Sequence, residues 1–307
     1  MICYSSSKKP TTKNQQPVSE SKHLFVAGPQ RSGTTLLQLI LSAHPQITVT
    51  PEAQFICQLF SLKFPVKSPL KPSQKDIVIA LMRNDEKLQT WPNFNLEEFI
   101  SKVYWETIYD LLDLLFRFFA VKNHSGTDYL GNKKGLYATQ HSGKKIKDIF
   151  TDAKFIYIVR DPRDIIHSIQ KNLRPRLLSE AANICRFRGR GIQKMSENFP
   201  DDVWIVRYED LIINPETVCR QICKFLRVLF DVQMLNFYKL NTDGSRLIGV
   251  TKDIHPHTMT PFNPDLIGQW QKTNCFNREE LQIIETITGD YMIQYGYEFH
   301  TPLAQET

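Results

Sequence analysis

The chain has 307 residues, 41% hydrophobic and 23% charged, ordinary values for a soluble globular protein. No apolar run approaches the roughly 18 residues a membrane helix needs, since LLDLLFRFFA (111–120) is short and broken by Asp113 and Arg117. The formal charge of +6 suits an anionic ligand, and the lack of an aromatic-basic RNA motif or a zinc-finger spacing argues against nucleic acid.

Residues 1–22 have no apolar signal-peptide core and read as a disordered, lysine-bearing tail, so a cytoplasmic protein is expected. HLFVAG (23–28) is a short apolar run ending at glycine, the pattern of a buried strand. TTLLQLILSAH (34–44) has apolar residues at 36, 37, 40 and 41, one face of a helix. Residues 52–63 read as a second helix, 64–76 as a proline- and lysine-rich loop, and 95–121 as helical with apolar faces for a sheet. YLGNK (129–133) is a brief strand followed by a helix through about residue 150.

KFIYIV (154–159) is continuously apolar and β-rich, as in a parallel sheet covered on both faces. RDPRDIIHSIQKN (160–172) follows, with Pro162 near a helix start. VWIVRY (203–208) is another buried strand, and Asn214-Pro215 opens a helix over 214–226. Asn277 with Glu280 forms a capping box for a last helix. Strands alternating with helices predict one doubly wound α/β domain over residues 23–300, with ligands at the carboxyl ends of its strands. The six cysteines form no CxxC pair, and Cys219 and Cys223, one helical turn apart, read as buried hydrophobes. His255 and His257 have no cluster of companion ligands and read as loop residues.

Gly28 and Gly33 have the spacing of the phosphate loop G-x-x-x-x-G-K-S/T, yet Thr34 stands where the lysine belongs. In an ATP-using loop that lysine and Mg²⁺ neutralise the β- and γ-phosphates. Without it the backbone nest and helix N-terminus remain, supplemented by Arg31, Ser32, Thr34 and Thr35. Such a set suits an anion of lower terminal charge and no metal, for example a phosphosulfate.

GPQRSGTTLL resembles the 5′-phosphosulfate loop of the sulfotransferases that use 3′-phosphoadenosine 5′-phosphosulfate (PAPS). FIYIVRDPRDIIHSI resembles their 3′-phosphate motif, and VRYEDLIINPETVCRQICKFL their third strand–helix unit. The resemblance is to the tyrosylprotein-sulfotransferase-like and bacterial branches. It implies a sulfotransferase fold like that of P-loop NTPases, and sulfuryl transfer by in-line displacement without a metal cofactor. It also implies that Arg31, Ser32, Gly33, Thr34 and Thr35 hold the 5′-phosphosulfate, that Arg160 and Ser168 hold the 3′-phosphate, and that Tyr208 contacts the nucleotide. Glu52 falls at the catalytic base and Lys133 at a catalytic lysine. A base in this place requires proximity and a modestly raised pKa.

The sequence departs from the tyrosylprotein branch in having Asn172, with Lys171 beside it, where that branch has an arginine. Thr260 stands in place of a late lysine, for which Lys252 and His257 are candidate substitutes, and adenine contacts from 241–260 stay open. Arg163 and Asp164 read as helix-surface charges, His167 as packing or surface, and Trp270 as a core anchor. The basic stretch 174–190 reads as a solvated helix face or, alternatively, as a lining of the acceptor cleft. Rival readings are a P-loop NTPase or kinase, disfavoured by Thr34, and an inactive nucleotide-binding module, disfavoured by Glu52 and Lys133. Peptidyl tyrosine, a carbohydrate, a lipid alcohol and a small metabolite all remain open as acceptor.

Overall fold

Five parallel strands, β1 (Lys22–Ala27), β2 (Ile47–Thr50), β3 (Tyr129–Lys133), β4 (Lys154–Val159) and β5 (Val203–Arg207), form one sheet in the order β2-β3-β1-β4-β5. This computed structural model describes residues 21–300 apart from 124, 173–176 and 242–255. Residues 1–20 of the expected tail, Lys252 and His255 therefore lie outside the described residues, as does the His257 side chain. The register pairs Val26 with both Lys133 and Ile156, Thr50 with Asn132, and Val159 with Arg207. All the carboxyl ends thus meet at one edge, and the connections leave β1 and β4 in opposite directions, which opens a crevice there.

The strands are flanked by α1 (Thr34–Ser42), α2 (Phe55–Leu59), α3 (Pro72–Arg83), α4 (Leu96–Lys102), α5 (Ile108–Lys122) and α6 (Gln140–Ile149). The later helices are α7 (Pro162–Asn172), α8 (Leu178–Asn198), α9 (Tyr208–Ile213), α10 (Pro215–Leu226), α11 (Gln269–Lys272) and α12 (Arg278–Tyr295). α1 packs across β1 to β4, α5 covers β2 and β3, and α8 lies between α12 and the β5 side. The strands are apolar because both faces are covered: in β1 only Lys22 is exposed. Phe25 joins Phe116, Tyr137, Phe150 and Phe155 in an aromatic core beneath the site. A second core of Ile165, Ile166, Ile169, Cys185, Ile284 and Trp270 backs α7.

β3 and β4 begin and end where the apolar runs do, and the expected capping box opens α12, with Asn277 and Glu280 bonding each other's N–H groups at 2.9 Å. Asn214 precedes α10, but its side chain makes no capping bond. Three expectations need correction. Strand β2 was not anticipated, and α3 begins inside the expected loop, with Pro72 in its first turn and the Gln74 side chain accepting the Lys71 N–H at 2.9 Å. The expected helix over 52–63 is only Phe55–Leu59. Residues 51–53 lie outside the helix, where the carbonyls of Pro51 and Glu52 accept sideways, from Asn132 Nδ2 at 2.5 Å and Trp91 Nε1 at 2.9 Å. No helix among the described residues is long and apolar enough to cross a membrane.

At the opposite, amino edge of the sheet, His23 is 1% exposed and sits between two carboxylates. Its Nδ1 lies 3.1 Å from Asp152 and its Nε2 3.2 Å from Asp113, while its ring stacks on Phe150 at 3.8 Å. Burial opposes the charged ring, but the hydrogen bonds and charges of Asp113 and Asp152 outweigh it and raise the His23 pKa above its ordinary 6.5. The raised value favours the folded state while the ring is protonated. That contribution is full below the unfolded value and is lost as pH rises through the folded one. Melting temperature should therefore fall as pH is raised above about 6.5, and His23→Asn should remove that part of the slope. Equal slopes for the two proteins would refute the assignment.

Candidate active site

The turn from β1 into α1 wraps around its own backbone. Ser32 is fully buried, and both its hydroxyl (2.7 Å) and its N–H (3.2 Å) donate to the Pro29 carbonyl. The Ser32 hydroxyl thus shapes the loop, and Ser32 is not among the residues that line the cleft. Gly33 has φ +102, and a Cβ there would come within 2.7 Å of the Tyr208 ring, so glycine is required on both counts. Arg31 also has a positive φ of 68, a strained region for a side-chain-bearing residue. It is held there from both ends, its Nε donating to Ser168 Oγ at 3.0 Å and its carbonyl accepting from Arg160 Nη1 at 3.4 Å. No side chain caps α1 and no acid lies in its first turn, so its N-terminal N–H groups and dipole face the cleft uncompensated.

That cleft runs from α1 to α7 and is lined by Thr34, Thr35, His167, Ser168, Lys171 and Phe262, among others. Arg160, leaving β4, forms its floor. It stacks over the Tyr208 ring at 4.3 Å and donates to the Leu266 carbonyl at 2.8 Å, while its buried Nε has no partner among the described residues. Burial and the neighbouring Arg160 charge together lower the Arg31 pKa, so two guanidiniums crowd one place. Such a place attracts an anion. Lys171 stands one turn beyond Ser168 and also lines the cleft.

On the other side of α1, Lys133 at the end of β3 is 6% exposed, and its ammonium donates to Glu52 Oε1 at 2.9 Å and Thr35 Oγ1 at 3.2 Å. Lys134 and Lys87 reach Glu52 Oε2 at 3.3 and 2.8 Å. Burial alone pushes the Glu52 carboxyl up, but the three ammoniums outweigh it and hold its pKa well below the usual carboxylate range. The expected modest rise is thus reversed in sign. Burial lowers the Lys133 pKa, an effect that Glu52 partly offsets.

Sequence reasoning placed Arg31, Thr34, Thr35, Arg160, Ser168 and Tyr208 around one cleft and Glu52 with Lys133 beside it, and the structure brings these residues together. It misjudged Arg163 and Asp164, which are 5% and 1% exposed. Asp164 accepts the N–H groups of Gly268 (2.9 Å) and Trp270 (3.0 Å) and pairs with Arg160 at 3.3 Å, fixing the far wall. The four-residue interval from Arg160 was the available signal. Arg163 bridges Asp161 and Glu285 at 2.7 Å each and stacks on Trp270 at 4.2 Å. His167 lines the cleft, and burial lowers its pKa. In the basic stretch, Arg190 makes an exposed pair with Asp290, whereas Arg188 is half-buried with its Nη1 unpartnered among the described residues. Lys87 and Lys134 had no sequence signal beyond their charge.

The profile of the sulfotransferase family matches residues 23–231. The protein-tyrosine sulfotransferase of Drosophila melanogaster is 26% identical over 85% of this chain and 50% of its own length. Protein-tyrosine sulfotransferase A of Caenorhabditis elegans is 24% identical over 82% of this chain and 62% of its own. The chain therefore spans only 50% and 62% of the length of these two relatives. Two solved structures share the fold. The sulfotransferase domain of the Synechococcus PCC 7002 olefin synthase has a TM-score of 0.60 at 23% identity, covering 94% of this chain and 100% of that one. The sulfotransferase domain of the curacin biosynthetic pathway has a TM-score of 0.62 at 19% identity, covering 91% and 98%. With the family profile spanning the loop, both strand exits and the third strand–helix unit, the chain belongs to the sulfotransferase family.

Proposed function

We propose that this chain is an enzyme that moves a sulfuryl group from PAPS to an acceptor hydroxyl or amine. The observation that carries the reading is the Lys133 ammonium, 3.2 Å from the Thr35 hydroxyl. An ATP-using phosphate loop holds Mg²⁺ at the equivalent hydroxyl and carries its own lysine one residue earlier. Here a single positive charge arrives from the neighbouring strand, a balance suited to a terminal group bearing one negative charge.

The donor set fits PAPS. Arg31, Thr34, Thr35 and the open N-terminus of α1 would hold its 5′ end, and Arg160, Ser168 and Lys171 its 3′-phosphate, where the unpartnered Arg160 Nε offers a donor. Bound there, PAPS supplies the sulfuryl group and leaves as the 3′,5′-bisphosphate. Glu52 takes the proton of the attacking acceptor, and Lys133 meets the negative charge that grows on the departing 5′-phosphate oxygen, an effect strongest in the transition state. Among the acceptors, peptidyl tyrosine draws support from the two relatives, both protein-tyrosine sulfotransferases.

Two measurements test this reading. The bisphosphate should raise the melting temperature without Mg²⁺, with linkage of roughly 2.7 kcal/mol at about 100 times Kd, and Mg-ATP should do far less. A shift with Mg-ATP and none with the bisphosphate points to an NTPase instead. Glu52→Gln should lower kcat by roughly 10²- to 10⁴-fold while nearly preserving bisphosphate affinity. It should also lower thermal stability, since it strips three ammoniums of their carboxylate. Lys133→Ala should lower kcat and weaken donor binding as well. A folded Glu52→Gln protein with near-normal turnover would exclude Glu52 as the base, and a folded wild type that binds the bisphosphate yet never turns over would be an inactive binding module.

A further inference from the structure

Glu52 is more heavily paired than a proton acceptor needs to be. Its Oε1 is taken by Lys133, and its Oε2 by both Lys134 and Lys87. Lys133 and Lys134 are buried at the end of β3, but the Lys87 side chain is 56% exposed and arrives from a surface turn. Exposed ion pairs of this kind are usually incidental.

This one is built into the backbone. Asp85, only 3% exposed, accepts the N–H groups of Gln54 (2.5 Å) and Phe55 (2.8 Å) with Oδ2. With Oδ1 it accepts those of Lys87 (3.0 Å) and Leu88 (3.2 Å). A single carboxylate therefore locks the segment that follows Glu52 to the segment that carries Lys87. Trp91, just beyond the same turn, closes the ring by donating to the Glu52 carbonyl at 2.9 Å. The charged and titratable groups facing Glu52 are then Lys133 and Lys134 from β3 and its exit, Tyr137 just after them, Lys87 from the turn and Cys57 from α2, with Asp85 and Arg188 of α8 beyond Cys57.

We infer that Lys87 is a displaceable cap on Glu52: its ammonium fills the Oε2 position that must take the acceptor's proton, and the acceptor moves it aside on entering. The inference rests on the reading of Glu52 as base. In the step it controls, the acceptor O–H proton passes to Oε2 and the bond from acceptor oxygen to sulfur forms. The bond from sulfur to the 5′-phosphate oxygen breaks, and the bisphosphate keeps that electron pair. Lys133 and Lys134 lie on the buried side and stay in place, while Lys87 lies on the open side and is free to swing into solvent. Until it does, the carboxylate is a weak base, which limits wasteful transfer to water.

The test compares Lys87→Met, Lys87→Arg and Glu52→Gln with wild type by two readouts. One is the ¹³C carboxyl signal of Glu52, identified by its loss in Glu52→Gln. The other is bisphosphate release from PAPS with water as the acceptor, which needs no knowledge of the natural one. In Lys87→Met, protonation of Glu52 should begin at higher pH, and release should be roughly two- to fivefold faster. Lys87→Arg, which keeps the charge, should leave the Glu52 titration as in wild type. An unmoved titration in Lys87→Met, or release no faster than wild type, overturns the cap. Release from Glu52→Gln equal to wild type would instead overturn the base assignment, independently of Lys87.

Discussion

One buried ammonium ties three strand exits together. Lys133 ends β3, yet it bonds Thr35 at the start of α1, just after β1, and Glu52, just after β2. A cation so deep must be compensated, because an uncompensated charge there costs far more than the bond returns. Its burial therefore fixes how the loop, the β2 exit and β3 stand relative to one another. Asn132, the preceding residue, reinforces the arrangement. It donates to Thr50 Oγ1 at 2.8 Å and to the Pro51 carbonyl, and accepts from the Tyr137 hydroxyl at 2.7 Å.

The other half of the site is organised by a second cation with a different duty. Arg160 leaves β4 and spends its Nη atoms on the carbonyls of Arg31 and Leu266 and on Asp164, so it braces the loop and the far wall of the cleft. Asp164 carries that bracing onward to Gly268 and Trp270. The parallel sheet makes both assemblies possible, because it delivers all its exits to one edge while the apolar strands beneath fill the core. Charge at the edge is then arranged asymmetrically. Glu52 gathers three ammoniums at one end of the site, while at the other the Arg31 and Arg160 guanidiniums stand together, with Asp164 paired to Arg160.

The central strands were legible because burial on both faces leaves a continuous apolar run with clear ends, as in KFIYIV. β2 was not, since ITVT is four residues flanked by prolines and too short to show a period. α3 was hidden because Pro72 reads as a loop residue until the capping by Gln74 is seen. Of the site, the residue types and their gathering were legible from motif and spacing. The direction of side chains was not: Ser32 turns inward to Pro29, and Arg163 and Asp164 turn into the core from a helix that reads as amphipathic on its polar side. The Glu52 environment escaped as well, because Lys87 lies 35 positions away and only the Asp85 turn brings it close.

The contact between Gly33 and Tyr208 has a consequence for how this site can change. The tyrosine ring occupies the space that any side chain at 33 would need, and the Arg160 guanidinium stacks over the same ring. Residues 33, 160 and 208 come from three separate strand exits, yet they form one stack. Even alanine at 33 would shove the ring, and the displaced ring would loosen the arginine that braces the loop. These positions can drift only in concert. A library that randomises them one at a time would meet a dead end at each, whereas one that varies all three together could still find a working site.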